Sequence, residues 1–382
     1  MSRRKQVKRI GVLTGGGDAP GLNPAIRSLV FRAADDDIEV VGIYDGWEGL
    51  LDGYVEHTWM LDPHVVRTWD RDGGTNLGSS RTNPFRHKHG EKRVDRSGEV
   101  LRNIEKLGLD GLVAIGGEDT LGVARKLHGL GAPVVGIPKT IDKDLSATDY
   151  TLGFDTSVRT VAEIIERSRT PAGSHHWVQV VEVMGRHAGH LAFWSGLAGG
   201  AFQILIPEYP FQLKEIYTQL SRWLSLGHKD RRYPRYAVIV VSEGALPKGG
   251  HEVTVDSAKD EFGHARLGGI GAWLAERIRS DTAHDSRSVA LGHPQRGGPP
   301  SPVDRHMGWL FGIAAVEAAI QNEWGKMVSS RGIAPACDLS LVSLADAVQK
   351  LSLLDVERYY DTERHAPKRR VLGMGDEVRI TP

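Results

Sequence analysis

The stretch from Gly111 to Asp144 decides the fold of this chain: GLVAIGGEDTLGVARKLHGLGAPVVGIPKTIDKD. It opens with a short apolar run at 111–115, which is typical of a buried strand. A Gly-Gly turn follows, and the residues at 120–128 have helical spacing. A second apolar run at 133–137 predicts the next strand. Strand, turn, helix and strand in this order predict a parallel sheet that is covered by helices.

Polar residues follow both strands of this stretch. After the first strand, the glycine turn lets backbone approach an anion, and the helix N-terminus points its N–H groups at that anion. Glu118 and Asp119 stand in the turn, and carboxylates at a phosphate site indicate a divalent cation. One lysine, one hydroxyl residue and two carboxylates that follow the second strand are Lys139, Thr140, Asp142 and Asp144. Because open α/β sheets bind ligands at this edge, the stretch predicts a metal-assisted phosphate site with a candidate base.

A second glycine loop lies near the N-terminus. Arg9–Thr14 predicts a strand, Gly15–Gly21 a loop that contains Gly16 and Gly17, and Asn23 the N-cap of a helix. The loop has neither the Gly-Lys-Ser/Thr of a Walker loop nor a GxGxxG pattern. Ordinary βα turns also contain such glycines, so phosphate binding and a plain turn both stay open here.

A third glycine-rich segment, at 73–81, also contains hydroxyl residues and ends in Arg81. A guanidinium in this position suits bidentate phosphate recognition, and a solvated surface arginine is the alternative. The charged residues at 87–96 predict an exposed loop or the start of a helix.

The same alternation restarts after Asp144. Strands are predicted at 177–183 and 235–241, and each is followed by a polar, glycine-containing loop. The two halves therefore predict two α/β domains with mainly parallel sheets. Beyond about residue 345 the composition turns polar and charged, and the sequence does not reveal the role of this extension.

Composition limits the classes of function. A chain of 382 residues is long enough for two domains. Lys plus Arg equals Asp plus Glu, at 48 each, so no net field attracts nucleic acid or an acidic membrane. A single cysteine excludes internal disulfides and fits a reducing cytoplasm. No apolar signal core and no membrane-spanning run are present, so a cytoplasmic protein is expected.

Other kinds of site are weaker interpretations. The histidines form no HExxH motif, so a zinc site is not expected. No GxSxG elbow indicates a serine hydrolase. Glu118 and Asp142 could in principle form the carboxylate pair of a glycosidase. Glycosidase sites, however, lack this number of phosphate-type loops, so this interpretation is weaker.

Seven segments occur together in one order, and with them the chain resembles the phosphofructokinases, in particular their pyrophosphate-dependent branch. They are Gly15–Gly21, Gly74–Arg81, Gly116–Thr120, Pro138–Asp142, Met184–Arg186, Ser242–Gly244 and Gly292–Gly298, and the resemblance covers about residues 8–345. It implies reversible phosphoryl transfer from pyrophosphate to the 1-hydroxyl of fructose 6-phosphate, giving fructose 1,6-bisphosphate. It also implies two Rossmann-like three-layer α/β/α domains with the active site in the cleft between them.

The resemblance implies a role for each matching residue. On the donor side, Asp142 is the general base, Glu118 holds Mg²⁺ and Arg81 contacts the transferred group. The other residues implied at the donor are Gly16, Gly17, Asp119 and Lys139, of which Lys139 also takes part in catalysis. The residues implied to bind the sugar phosphate are Thr140, Asp142, Asp144, Met184, Gly185, Arg186, Glu243, His293 and Arg296, with Arg287 supplied by a neighbouring subunit. A homodimer or homotetramer is therefore expected.

The same resemblance predicts domain boundaries. Residues 1–153 with about 300–345 are expected to bind the phosphoryl donor. Residues 154–299 with about 346–382 are expected to bind the sugar phosphate.

Two positions favour pyrophosphate over ATP. ATP-using relatives have glycine at the positions of Asp119 and Lys139, which leaves room for the α-phosphate of a nucleotide. Some relatives with lysine at the second position also use ATP, and these keep glycine at the first. Aspartate adds bulk and negative charge there, and the lysine ammonium can bind a pyrophosphate oxygen. At a third position, Trp177 stands where many relatives have an arginine for the 6-phosphate, which leaves the sugar specificity open. An ATP-dependent 6-phosphofructokinase, a sedoheptulose 7-phosphate kinase and a non-catalytic sugar-phosphate-binding paralogue therefore remain as alternatives.

Overall fold

The computed structural model describes residues 6–52, 57–90, 92–230, 232–251, 254–259, 262–263 and 265–369. Its α-helices are α1 (Leu22–Ala34), α2 (Pro63–Val66), α3 (Ser97–Lys106), α4 (Glu118–Gly129), α5 (Phe154–His175), α6 (His190–Ala198), α7 (Leu213–Lys229), α8 (Ile270–Asp281), α9 (Pro302–Ile320), α10 (Leu344–Ala347) and α11 (Val356–Tyr359).

The strands in the described part of the chain are β1 (Arg9–Thr14), β2 (Glu39–Ile43), β3 (Thr58–Leu61), β4 (His87–His89), β5 (Lys92–Val94), β6 (Gly111–Gly116), β7 (Val134–Pro138), β8 (Val178–Val183), β9 (Gln203–Leu205), β10 (Ala237–Ser242), β11 (Thr254–Lys259), β12 (Ala265–Leu267), β13 (Ser286–Ala290), β14 (Lys326–Ile333), β15 (Ala336–Ser343), β16 (Tyr360–Asp361) and β17 (Ala366–Pro367).

The described residues divide into two compact units. Unit 1 contains the described residues within 1–160, 254–266 and 292–352. Unit 2 contains the described residues within 161–253, 267–291 and 353–382. The loop at 292–299, which the sequence places with the second domain, groups with unit 1. Its contacts explain this, because Ser157 Oγ donates to the Gln295 carbonyl oxygen at 2.7 Å. The ligands assigned to each domain remain predictions.

Unit 1 is built on a seven-stranded sheet in the order β15-β14-β7-β6-β1-β2-β3. The inner pairs, from β14 to β2, are parallel, and the two outer pairs are antiparallel. Thr14 pairs with Ile115, and Gly116 pairs with Pro138. The carboxyl ends of β1, β6 and β7 therefore meet at one edge of the sheet, and the strands predicted at these places are confirmed.

Unit 2 contains a four-stranded sheet in the order β13-β8-β10-β9, and these neighbours pair in parallel. Both sheets confirm the predicted α/β class with mainly parallel strands. The extension beyond residue 345 takes part in this unit, because the Ile204 N–H donates to the His365 carbonyl oxygen at 2.7 Å. The buried Tyr360 hydroxyl also donates to the Ile204 carbonyl oxygen at 2.6 Å. The extension thus covers the edge strand β9, and a covered edge does not offer its backbone to other chains.

Two local predictions were wrong. Asn23 does not cap α1, because the helix begins at Leu22 and its N-cap is Gly21, whose φ of 106° suits glycine. The Asn23 side chain instead accepts from the Asn76 N–H at 2.8 Å and donates to the carbonyl oxygen of Gly73 at 3.2 Å. In the charged segment at 87–96, the described strands β4 and β5 pair in antiparallel fashion, where the sequence predicted a loop or a helix start.

In the described part of the chain, no helix combines the length and the apolar composition that crossing a membrane requires.

Candidate active site

The glycine loop after β1 is held by backbone contacts to two other loops. Gly15 N–H donates to the Ile115 carbonyl oxygen at 3.0 Å, and Gly16 N–H donates to the Ser80 carbonyl oxygen at 2.9 Å. The Ser79 hydroxyl donates to the Gly16 carbonyl oxygen at 2.5 Å. Gly16 has a φ of 79°, which favours glycine. The glycine loop at 15–21, the glycine-rich segment at 73–81 and the end of β6 therefore lie together at the carboxyl edge of the sheet.

Lys139 joins this loop to the end of β7. Its ammonium donates to the Gly15 carbonyl oxygen at 2.9 Å and also to the Gly17 carbonyl oxygen. The side chain is buried, with 3% of its surface exposed. Burial lowers the pKa of Lys139 to about 7. An anion bound beside this amine would favour the charged form and raise its pKa.

Charged groups surround the Lys139 ammonium. The positive charges of Arg296 and Arg81 lower its pKa, and the carboxylates of Asp18 and Asp142 raise it. Arg296 Nη1 donates to the Asp18 carbonyl oxygen at 3.2 Å, and a Cβ placed on Gly17 would lie 2.8 Å from this nitrogen. Lys139, Arg296 and Arg81 thus bring three basic side chains to one glycine loop, and such a cluster attracts a multivalent anion.

Asp142 has the geometry of a base. It is 4% exposed, and its Oδ1 is buried without a hydrogen-bond partner. The Asp142 N–H donates to Thr140 Oγ1 at 3.1 Å, and the Thr140 carbonyl oxygen accepts from Thr151 Oγ1 at 2.7 Å. The backbone is therefore held while one carboxylate oxygen lacks a donor. A substrate hydroxyl would supply that donor. Asp144 lies two residues on and is half-buried.

Glu118 and Asp119 begin helix α4, whose N-cap is Gly117. Glu118 is exposed and Asp119 is half-buried. Among the described residues, no group of three or more His, Cys, Asp or Glu side chains is arranged to hold a metal. Mg²⁺ is usually bound through one or two carboxylates together with substrate phosphates and water, so an exposed Glu118 at a helix N-terminus fits this mode.

Met184, Gly185, Arg186 and Glu243 come together within unit 2. They follow β8 and β10, whose last residues Val183 and Ser242 are paired. The Arg186 N–H donates to Glu243 Oε1 at 3.1 Å. A Cβ on the neighbouring Gly244 would overlap the Arg186 carbonyl oxygen, which shows how closely the two loops pack.

The predicted ligands of the sugar's phosphate, His293, Arg296 and Arg287, lie on two different elements. His293 is exposed and begins a short 3-10 helix that ends at Arg296 in unit 1. Arg287 is exposed on β13, the edge strand of the unit 2 sheet. The sequence assigned no role to Asp18 and Ser79, although both stand in glycine segments that it singled out. Their contacts join residues far apart in the chain, and no local pattern signals them.

Comparison with known proteins gives one consistent family. The family model described as phosphofructokinase matches residues 9–319. A pyrophosphate–fructose 6-phosphate 1-phosphotransferase of Amycolatopsis methanolica is 48% identical over 93% of this chain and 98% of its own length. An ATP-dependent 6-phosphofructokinase of Streptomyces coelicolor is 44% identical over 93% of this chain and 99% of its own. A pyrophosphate-dependent phosphofructokinase structure from Marinobacter aquaeolei shares the fold, with a TM-score of 0.77 at 21% identity, over 95% of this chain and 89% of its own.

Proposed function

Because the chain belongs to the phosphofructokinase family and is thus a phosphotransferase, we propose that it transfers a phosphoryl group reversibly from pyrophosphate to fructose 6-phosphate, with Mg²⁺. The observation that carries the choice of donor is the buried Lys139 ammonium on the carbonyl oxygens of Gly15 and Gly17. Its charge occupies the loop that would cradle the donor phosphates. Pyrophosphate, a small and highly charged anion, suits this position.

In this proposal, the reaction uses groups at the carboxyl edge of the unit 1 sheet. Asp142 takes the proton from the 1-hydroxyl of the sugar, and the oxygen attacks the terminal phosphorus of pyrophosphate. The bond from that phosphorus to the bridging oxygen breaks, which gives fructose 1,6-bisphosphate and inorganic phosphate. Lys139 and Arg81 stabilise the negative charge on the phosphates as the bonds change. Mg²⁺, held by Glu118 and the phosphates, would neutralise further charge on the donor.

The residues of unit 2 bind the acceptor in this proposal. Met184, Gly185, Arg186 and Glu243 hold the sugar ring. The Arg287 that binds the sugar's phosphate is supplied by a neighbouring subunit of a homodimer or homotetramer. His293 and Arg296 are also proposed to bind the 6-phosphate of the sugar, and Arg296 Nη1 contacts the Asp18 carbonyl oxygen of the glycine loop. We place the enzyme in the cytoplasm, as the composition of the chain favours.

An ATP-dependent 6-phosphofructokinase is the second candidate, because relatives with this name are 44% identical to the chain. The two proposals differ at Asp119 and Lys139. The double variant Asp119→Gly, Lys139→Gly is expected to lose about 100-fold in kcat/KM with pyrophosphate, because a charged contact contributes about 1.5–3 kcal/mol. Its activity with ATP should rise at the same time.

The single variant Lys139→Gly separates the two effects. It should lose activity with pyrophosphate without gaining activity with ATP, because Asp119 still opposes the nucleotide α-phosphate. Steady-state rates with pyrophosphate and with ATP are measured for the unchanged chain, the single variant and the double variant. A double variant that keeps its pyrophosphate activity would show that the two residues do not select the donor.

Lys139 also predicts a pH dependence of pyrophosphate binding. Its pKa in the free protein is about 7, and a bound anion favours the ammonium and raises that pKa. Binding therefore takes up a proton above about pH 7, and the affinity should fall by up to about tenfold per pH unit there. Calorimetry in buffers of different ionisation enthalpy measures this uptake directly.

The variant Lys139→Arg is the control, because a guanidinium does not titrate in this range. Its pyrophosphate affinity should keep only the pH dependence that pyrophosphate itself contributes. If the unchanged chain and the arginine variant show the same proton uptake, Lys139 does not change its charge on binding.

A further inference from the structure

Trp177 and Arg287 form a contact within unit 2. Trp177 directly precedes β8, and Arg287 lies on β13, which pairs with β8 at the edge of the sheet. The Arg287 Cζ lies over the Trp177 ring, 4.9 Å from its centroid. The His175 ring also stacks on Trp177, at 5.2 Å between centroids and 9° between planes. A guanidinium at this distance from an indole face is attracted by the negative charge of the ring face.

A buried amide contacts both residues of this pair. Gln179 is 6% exposed, and its Oε1 accepts from Trp177 Nε1 at 3.1 Å. Since the indole N–H can only donate, the amide nitrogen of Gln179 must face the other way. That nitrogen donates to the Arg287 carbonyl oxygen at 3.3 Å. One side chain therefore hydrogen-bonds both the indole ring of Trp177 and the backbone of Arg287, and its nitrogen also donates to the Val180 carbonyl oxygen at 3.2 Å.

A second partner of Arg287 is weaker. Its Nη2 lies 3.4 Å from Asp285 Oδ2, and both side chains are more than half exposed, at 60% and 51%. Exposed ion pairs of this kind contribute little. The ring contacts the guanidinium carbon at 4.9 Å from its centroid. The guanidinium N–H groups lie in the plane of the group itself, and a phosphate can bind two of them at once.

We propose that Trp177 is a positioning residue that holds the Arg287 guanidinium in the orientation in which it binds the phosphate of the sugar substrate. The inference rests on the proposed function, which gives Arg287 that phosphate. A guanidinium that is already held in its binding orientation loses less conformational freedom on binding. Support by the Trp177 ring would therefore offset part of the phosphate affinity lost because this position lacks the arginine that many relatives have. Trp177 then acts on sugar phosphate affinity and leaves the donor site alone.

A double-mutant cycle tests the proposal, with fructose 6-phosphate binding to the full-length protein measured by calorimetry. Trp177→Leu should raise the Kd by about 3–10-fold, and Trp177→Phe, which keeps a ring face, by less than half of that factor. In the Arg287→Ala background, Trp177→Leu should produce no further change, because the residue it positions is gone. The KM for pyrophosphate should stay the same in Trp177→Leu.

Trp309→Leu is the matched control, because Trp309 lies on α9 in unit 1 and is 52% exposed. The Kd of fructose 6-phosphate for this variant should equal that for the unchanged chain. Equal effects of Trp177→Leu with and without Arg287 would overturn the positioning role, since a merely structural tryptophan gives additive losses. If Trp177→Leu does not fold, the cycle with Trp177→Phe decides in the same way. Absence of fructose 6-phosphate binding to the unchanged chain would overturn the proposed function and this inference together, whereas binding with an additive cycle overturns this inference alone.

Discussion

Replacing Asp142 by asparagine is expected to lower kcat by about 10²–10⁴-fold, the usual contribution of a positioned general base. The amide has the shape of the carboxylate but cannot take the proton of the sugar hydroxyl. The Asp142 backbone is held by Thr140, and its Oδ1 has no protein donor, so the substitution disturbs few other contacts. The dissociation constants of pyrophosphate and fructose 6-phosphate should therefore change by less than about threefold, which separates a role in the chemical step from a role in binding.

Asp37→Asn is the control for this substitution. Asp37 is exposed in the turn before β2, and its φ of 55° is one that asparagine also adopts. Its kcat should equal that of the unchanged chain. An Asp142→Asn protein that is folded and retains more than about a tenth of the original kcat would show that another group takes the proton.

Replacing Gly312 by alanine is expected to lower the free energy of unfolding by about 3 kcal/mol, the upper range for overpacking a core. Helix α9 crosses helix α1 here, and a Cβ on Gly312 would overlap Ser28 Oγ and the carbonyl oxygen of Ala25. It would also lie 2.8 Å from the Leu29 nitrogen. Because two of these atoms belong to the backbone, the helices must move apart rather than a side chain turning away.

Gly122→Ala is the matched control in helix α4. A Cβ at this position meets no atom within 4 Å, so the better helix propensity of alanine should raise stability by about 0.5–1 kcal/mol. Thermal unfolding of the three proteins measures the difference. Equal melting temperatures for Gly312→Ala and the unchanged chain would mean that the α1–α9 contact is looser than described.

Local patterns were enough to predict the sheet and the loops at its edge. The strands β1, β6 and β7 stand out as short apolar runs that end in glycine or in polar residues, and each signal lies within a few neighbouring positions. Their order in the sheet follows because successive parallel strands with helical connections tend to be neighbours. The gathering of Gly16, Lys139 and Asp142 at one edge was predictable for this reason.

Contacts between distant parts of the chain were not predictable in the same way. Asn23 has the residue type of an N-cap, but its side chain pairs with loop atoms about 50 residues away, and this outweighs the local preference. Arg296 reaches Asp18 across 278 positions, and Trp177 meets Arg287 only because β8 and β13 pair. Likewise the polar composition after residue 345 gives no sign that Tyr360 and His365 are buried in unit 2.

The most direct test of the central claim is the initial rate of fructose 1,6-bisphosphate formation by the unchanged chain with Mg²⁺, with pyrophosphate or ATP as donor. Sedoheptulose 7-phosphate as a parallel acceptor tests the effect of Trp177 on sugar choice. We expect turnover with pyrophosphate and fructose 6-phosphate, and none with ATP. Turnover with ATP alone would contradict the role given to Asp119 and Lys139, and no turnover with any pair would favour the non-catalytic paralogue.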